Sequence, residues 1–191
     1  MNQHQRHRRV PLKARAEEYL ERARVQFGFS HQRPDLLREA LINARKALLL
    51  DPRNCEALNL LGSIYTHFDD PKSTTQALRC YDDAVALYPK CPDAYDGKAD
   101  LLMYWLNQPE EAESLARKAL ALAKRNGEPS DSLEFFHVTL IDILVGRKKY
   151  AQARWAIRKA LRDCPSEFMS NMVEQPLKEI AESSSCASLN S

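Results

Sequence analysis

The sequence predicts an all-α protein, a stack of about four helix-turn-helix repeats closed by a C-terminal capping helix. Three observations carry this reading. A helical motif of the form A-x3-apolar-x2-A recurs four times along 191 residues. A proline stands five residues behind three of its four copies. Glycine is scarce, with five residues in all, while Ala, Leu, Arg, Lys and Glu, the strong helix formers, are abundant.

The motif is Ala40, Ala44, Ala47; then Ala77, Tyr81, Ala84; then Ala112, Ala116, Ala119; then Ala153, Ile157, Ala160. First and third members are spaced alike, at 37, 35 and 41 residues, so each triplet moves as a unit. Pro52, Pro89 and Pro165 follow the first, second and fourth copies. A helix must stop there, because proline lacks the N–H donor and disfavours helical geometry in the residue before it. The third copy has Lys124 instead, so its helix is expected to run on to the breaker stretch Arg125, Asn126, Gly127, Glu128, Pro129, which accounts for the longest spacing.

In the second unit the residues read Leu58-x2-Leu61-Gly62-x2-Tyr65, then Ala77-x3-Tyr81, then Pro89. This resembles the tetratricopeptide-repeat pattern W-x2-L-G-x2-Y…A-x3-F…P. Tyr95, Ala99 and Leu102 take the first-helix positions of the third unit; His137, Leu140, Ile141 and Leu144 take those of the fourth, with Tyr150 entering its second helix. The resemblance covers roughly residues 16–165 and implies a right-handed α-solenoid. Its repeats fall at about 16–53, 54–90, 91–129 and 130–165. Small residues at Gly62, Ala99 and the triplets let neighbouring helices approach, and each hairpin alone buries too little, so units must stack.

Polar turns are expected at Ser30–Asp35 and at Asp69–Thr74, between the helices of the first two units. Helical spacing of Phe168, Met172, Val173, Leu177 and Ile180, interrupted by Pro176, predicts a capping helix over 166–182. A basic tail over 1–15 and a Ser-rich tail over 183–191 are expected to be disordered. Arg6, Arg8, Arg9, Lys13 and Arg15 give the first tail its charge, and the rest of the chain holds 23 basic against 26 acidic residues. The tail has no apolar core of a secretory signal, and no run approaches the roughly 20 apolar residues of a membrane span, so a cytoplasmic location is expected.

Chemistry has no visible seat. Phosphate-loop, dinucleotide, zinc-protease and serine-hydrolase motifs are absent, and the five cysteines, Cys55, Cys80, Cys91, Cys164 and Cys186, form no C-x-x-C pair. The cysteines read as free thiols that fill space as small hydrophobes. Neither catalysis, nor a metal, nor a cofactor is expected. The five histidines, placed in the tail, in loops or singly on helices, read as satisfied or solvated.

The resemblance implies instead a groove for another protein, lined by the first helix of each repeat. Its positions are Glu56, Asn59, Ser63, Thr66 and His67 in the second unit, Asp93, Asp96, Asp100, Met103 and Tyr104 in the third, and Phe135, Val138, Asp142 and Val145 in the fourth. Asp93, Asp96 and Asp100 are spaced i, i+3, i+7 and share one helix face. Like charges so placed cost a helix about 0.2–0.5 kcal/mol per pair, and tolerance of that cost hints at use, namely a groove for a basic segment of a partner. Plain solvation, with Asp93 serving the helix N-terminus, is the competing reading. The Lys, Asn and Arg clamp by which related chaperone-binding domains hold a peptide's terminal carboxylate is missing from these positions. Met103, Tyr104, Trp105, Phe135 and Phe136 read mostly as inter-helix core, with Tyr104 and Phe135 as candidate groove anchors.

An interaction scaffold or adaptor is therefore the leading expectation. A small chaperone for assembly or secretion is the alternative. Nucleic-acid association through the Arg-rich tail is weaker, because the sequence shows neither aromatic interleaving nor a basic folded face.

Overall fold

A computed structural model describes residues 11–68 and 70–189, with side chains to residue 183. Among the described residues there are ten α-helices and no strand: α1 (Leu12–Gly28), α2 (Pro34–Leu50), α3 (Cys55–Thr66), α4 (Pro71–Leu87), α5 (Pro92–Tyr104), α6 (Pro109–Asn126), α7 (Ser130–Gly146), α8 (Tyr150–Asp163), α9 (Glu167–Met172) and α10 (Glu174–Leu189). The chain divides into two compact units, one up to Asp83 and one from Ala84 onward.

In the first unit α1 and α2 form an antiparallel pair whose facing side chains are small. Ala16, Leu20 and Ala23 meet Ala40, Ala44 and Ala47, all without solvent exposure. An alanine at each contact lets backbones approach closely, so dispersion contacts replace water along the whole seam. Leu20, Ala47 and Ala57 continue this core under α3, with Tyr19, Leu48 and Leu60 at its edge. Asn54 caps α3, its side chain accepting from the Ala57 amide at 2.9 Å, and Asp70 does the same for Ser73 ahead of α4. Gly62 is required by crowding: a Cβ there would lie 2.6 Å from the Tyr81 ring. The Tyr81 hydroxyl in turn lies 3.2 Å from Ser63 Oγ.

In the second unit Ala112, Ala116 and Ala119 of α6, and Ala153 and Ala160 of α8 around Ile157, fill the same role. The α7 helix, buried on most of its surface, packs between α6 and α8. Glu113 of α6, almost fully buried, binds Arg117 Nε at 3.0 Å, Arg147 Nη1 at 2.6 Å and Lys149 Nζ at 2.7 Å, tying α6 to the turn between α7 and α8. Burial alone would raise its pKa, but the hydrogen bonds from Lys149 and Arg117 more than offset this and hold the carboxyl below its usual range. The α6 helix runs past Lys124 to Asn126, as its missing proline led one to expect, and ends on Gly127 in the left-handed region at φ 75°.

Several expectations are corrected. Pro34 and Pro71, read as parts of polar turns, are the first residues of α2 and α4, and Pro92 and Pro109 open α5 and α6 likewise. Proline's fixed φ suits the first helical turn, where its missing N–H would have had no partner anyway. The helix α1 begins at Leu12, inside the stretch expected as tail; residues 1–10 of that tail lie outside the described residues. The cap is two helices. Ser166 starts α9 by accepting from the Met169 amide at 3.0 Å and donating to Glu134 of α7, and Pro176 falls in the first turn of α10, where it does not interrupt. Met169, Val173, Pro176 and Ile180 face the core, whereas Phe168, Met172 and Leu177 are substantially exposed. Helical backbone continues to Leu189, through most of the stretch expected as a disordered tail.

Gly62→Ala should lower stability by about 1–3 kcal/mol, because the Tyr81 ring is held by packing and by Ser63. Denaturant unfolding followed by circular dichroism checks it. An unchanged midpoint would mean the ring swings away without cost.

Candidate functional site

The second unit carries the acidic face that the sequence singled out. On α5, Tyr95, Ala99 and Leu102 are buried in the core, which turns Asp93, Asp96 and Asp100 to the other side. Asp93, in the first turn, is exposed. Asp96 and Asp100 are half-buried between α5 and α7. Asp96 Oδ2 accepts from Thr139 Oγ1 of α7 at 3.2 Å, while its Oδ1 is buried with no hydrogen-bond partner.

Negative charge is crowded here. Burial, and then the neighbouring Asp100, push the Asp96 carboxyl well above its usual range. Burial and the charge of Asp142 raise Asp100 to about 6. Burial and Glu179 of α10 raise Asp142 in turn, and burial with Asp142 and Asp100 pushes the Tyr104 hydroxyl up to about 12. No cation is among the groups acting on Asp96, Asp100 or Asp142. The structure thus brings Asp96, Asp100, Tyr104 and Asp142 together, with Thr139 as a partner the sequence reading missed. Its only sequence signal is a hydroxyl set in the apolar run of α7.

Other expected groove residues are placed differently. Met103 packs at the edge of the core against Gly146, where a Cβ would come 2.5 Å from its Cε. Val138 is half-buried at the same edge. Tyr104 and Phe135, the candidate anchors, are 57% and 61% exposed; of the other two aromatics Phe136 is buried and Trp105, expected in the core, is 44% exposed. Tyr104 stands edge-on to Trp105, and Phe135 lies against Phe168 of α9, centroids 5.7 Å apart. In the first unit Glu56 pairs with Arg24 of α1, Asn59 is half-buried, and Ser63 meets Tyr81. His67 lies 2.8 Å from the Ser63 carbonyl and packs on Phe27 and His31.

Among the described residues Cys55, Cys80, Cys91 and Cys164 form no disulfide, and burial pushes the Cys80 thiol up to about 11. His137, in the core, is fully buried and bonded through Nε2 to Asp163 at 3.1 Å; burial lowers its pKa. Among the described residues no group of three or more His, Cys, Asp or Glu is arranged to hold a metal ion. No described helix is long and apolar enough to cross a membrane.

The helical-hairpin arrangement is that of tetratricopeptide-repeat proteins. TTC0263, a thermophilic protein of this kind from Thermus thermophilus, shares it with a TM-score of 0.70 at 18% identity, over 87% of this chain and 81% of its own. Pseudomonas aeruginosa PilF matches with a TM-score of 0.66 at 19% identity, over 91% of this chain and 75% of its own. YrrB, a tetratricopeptide-repeat protein with an unusual peptide-binding site, matches with a TM-score of 0.55 at 16% identity, over 87% of this chain and 85% of its own. No protein-family model and no curated protein sequence matches the chain.

Asp100→Asn should raise the melting temperature by roughly 2–6 °C at pH 7.5, with the gain shrinking toward pH 5. The native carboxyl, at about 6, holds its proton more tightly than the unfolded one at 3.8, so the wild type pays for the charge above pH 6 and is relieved of it on acidification. Scanning calorimetry of both proteins across that range checks the sign, and a destabilised variant at pH 7.5 would contradict it.

Proposed function

We propose that this protein is an interaction scaffold that takes up a lysine- or arginine-bearing segment of a partner protein along the α5 and α7 face of its second unit. The observation that carries the reading is the set of Asp96, Asp100 and Asp142. Burial and neighbouring negative charge raise the pKa of all three half-buried carboxyls, and no cation is among the described groups acting on them. A cationic side chain arriving there would find charge already desolvated by the fold, which strengthens attraction relative to an exposed pair. Exposed Tyr104 and Phe135 offer flanking apolar contact of the kind that anchors peptides. The shared fold of a peptide-binding protein, YrrB, is consistent with this use.

Fluorescence anisotropy of a labelled peptide of alternating lysine and alanine, titrated with the wild type and with Asp93→Asn, Asp96→Asn, Asp100→Asn combined, tests the proposal. Affinity should fall by at least about tenfold in the variant, while helicity is kept and the melting temperature holds or rises. Equal affinity for the two proteins would reduce the carboxylates to ordinary surface charge.

A further inference from the structure

A second concave feature of the same unit has the opposite character. The α6 and α8 helices are held apart by α7, and the space between them is an open cleft of about 400 Å³. Its apolar lining is Leu120 and Ala121 of α6, Leu140 of α7 and Ala156 of α8. Trp155, 50% exposed, forms one wall without filling the space. Polar bridges between α6 and α8 bound it: Arg117 donates to Gln152 at 2.8 Å, and Lys124 pairs with Asp163. A smaller depression of about 260 Å³, lined by Arg117, Ala151, Gln152 and Trp155, adjoins it, so the feature is elongated.

Its charge is positive. Arg117, Lys124 and Lys159 line the cleft, and Arg158 and Arg162 are exposed on the same helix as Lys159. Beside it Glu113 and Asp163 already pair with Arg117 and Lys124, so Lys159 is the lining cation left over. Lys159 rests over the Trp155 ring at 5.0 Å. Among the described residues neither Lys159, nor Arg158, nor Arg162 has a carboxylate partner.

We propose that this cleft is a second binding site, for an acidic peptide segment that seats one large apolar side chain on Leu120, Leu140 and Trp155 and lays its carboxylates on Lys159 and the exposed arginines of α8, Arg158 and Arg162. Volume and lining suit an apolar anchor, since pockets for organic ligands begin at roughly 300 Å³ and are mostly apolar with a few placed charges. The elongation suits a peptide: Arg117 and Lys124 lie about 10 Å apart along α6, the span of about three extended residues. A nucleic acid would want several exposed aromatic platforms on a basic groove. Here one tryptophan borders an apolar pocket.

Trp155 reports on its own site. In a full-length Trp105→Phe background it is the remaining tryptophan of the two, and its emission is followed while the peptide acetyl-Glu-Glu-Leu-Phe-Glu-Glu-amide is added. The expected result is a saturable spectral change that weakens at least about tenfold with Lys159→Glu and again with Ala121→Phe, which fills the cleft without removing charge. A peptide with Gly-Gly in place of Leu-Phe should bind at least about tenfold more weakly. Absence of a saturable change up to about 1 mM peptide overturns the proposal. So does binding indifferent to Ala121→Phe in a variant whose circular dichroism matches the wild type, and so does a short oligothymidylate that binds more tightly than the peptide.

Discussion

The architecture rests on how closely two helices can approach when an alanine stands at each crossing. Ala40, Ala44 and Ala47 against Ala16 and Ala23, and Ala112, Ala116 and Ala119 against the face of α5 that carries Ala99, are buried completely. Any larger side chain at these points would push the backbones apart and open voids that no neighbour could fill. Bulk is therefore confined to the gaps between crossings. Tyr81 over Gly62 and Met103 over Gly146 show the margin to be a single methyl group. The helices of each unit are consequently rigid platforms, and what distinguishes their surfaces is charge.

That charge is handled in two opposite ways within one unit. Glu113 is less exposed than Asp100, yet its pKa is lowered while that of Asp100 is raised. Burial raises both, and the difference lies in partners: Arg117, Arg147 and Lys149 surround the first, whereas the charge of Asp142 adds to the effect of burial on the second. The Glu113 cluster clamps α6 to the α7–α8 turn, and its carboxylate is spent on three cations of the fold. For Asp96, Asp100 and Asp142 no cation is among the described groups that shift them, which is the condition under which a charged surface is available for binding.

Much of the fold could be read from residue order because it is written in periodicity. Alanine spacing located the tightly packed helices, and Pro52, Pro89 and Pro165 marked ends that α2, α4 and α8 respect. Prolines have two uses, however, and the pattern does not separate a stop from a start, so Pro34 and Pro71 read as turn residues although they open helices. The cap was misread for a related reason: a spacing that includes Phe168, Met172 and Leu177 is helical, but which stripe faces inward depends on where Ser166 fixes the start of α9. Of the acidic face, the i, i+3, i+7 register on α5 was legible, whereas the approach of Asp142 and Thr139 depends on the pairing of α5 with α7. The cations of α8 lay in plain view as Arg154, Arg158, Lys159 and Arg162, but spread around an amphipathic helix they do not announce a basic surface until Trp155 and the opposite wall of the cleft are in place.

Lys124 stands where the other copies of the repeat have proline. A proline there would have ended α6 a turn early, and with it the tie to Asp163 and one cation of the cleft rim. In a protein assembled from modules that share a packing pattern, the shared positions make the modules alike and therefore anonymous. Individuality enters through a lost punctuation mark: one deleted stop signal lengthens one module by a turn and hands it a side chain its siblings have no room to grow.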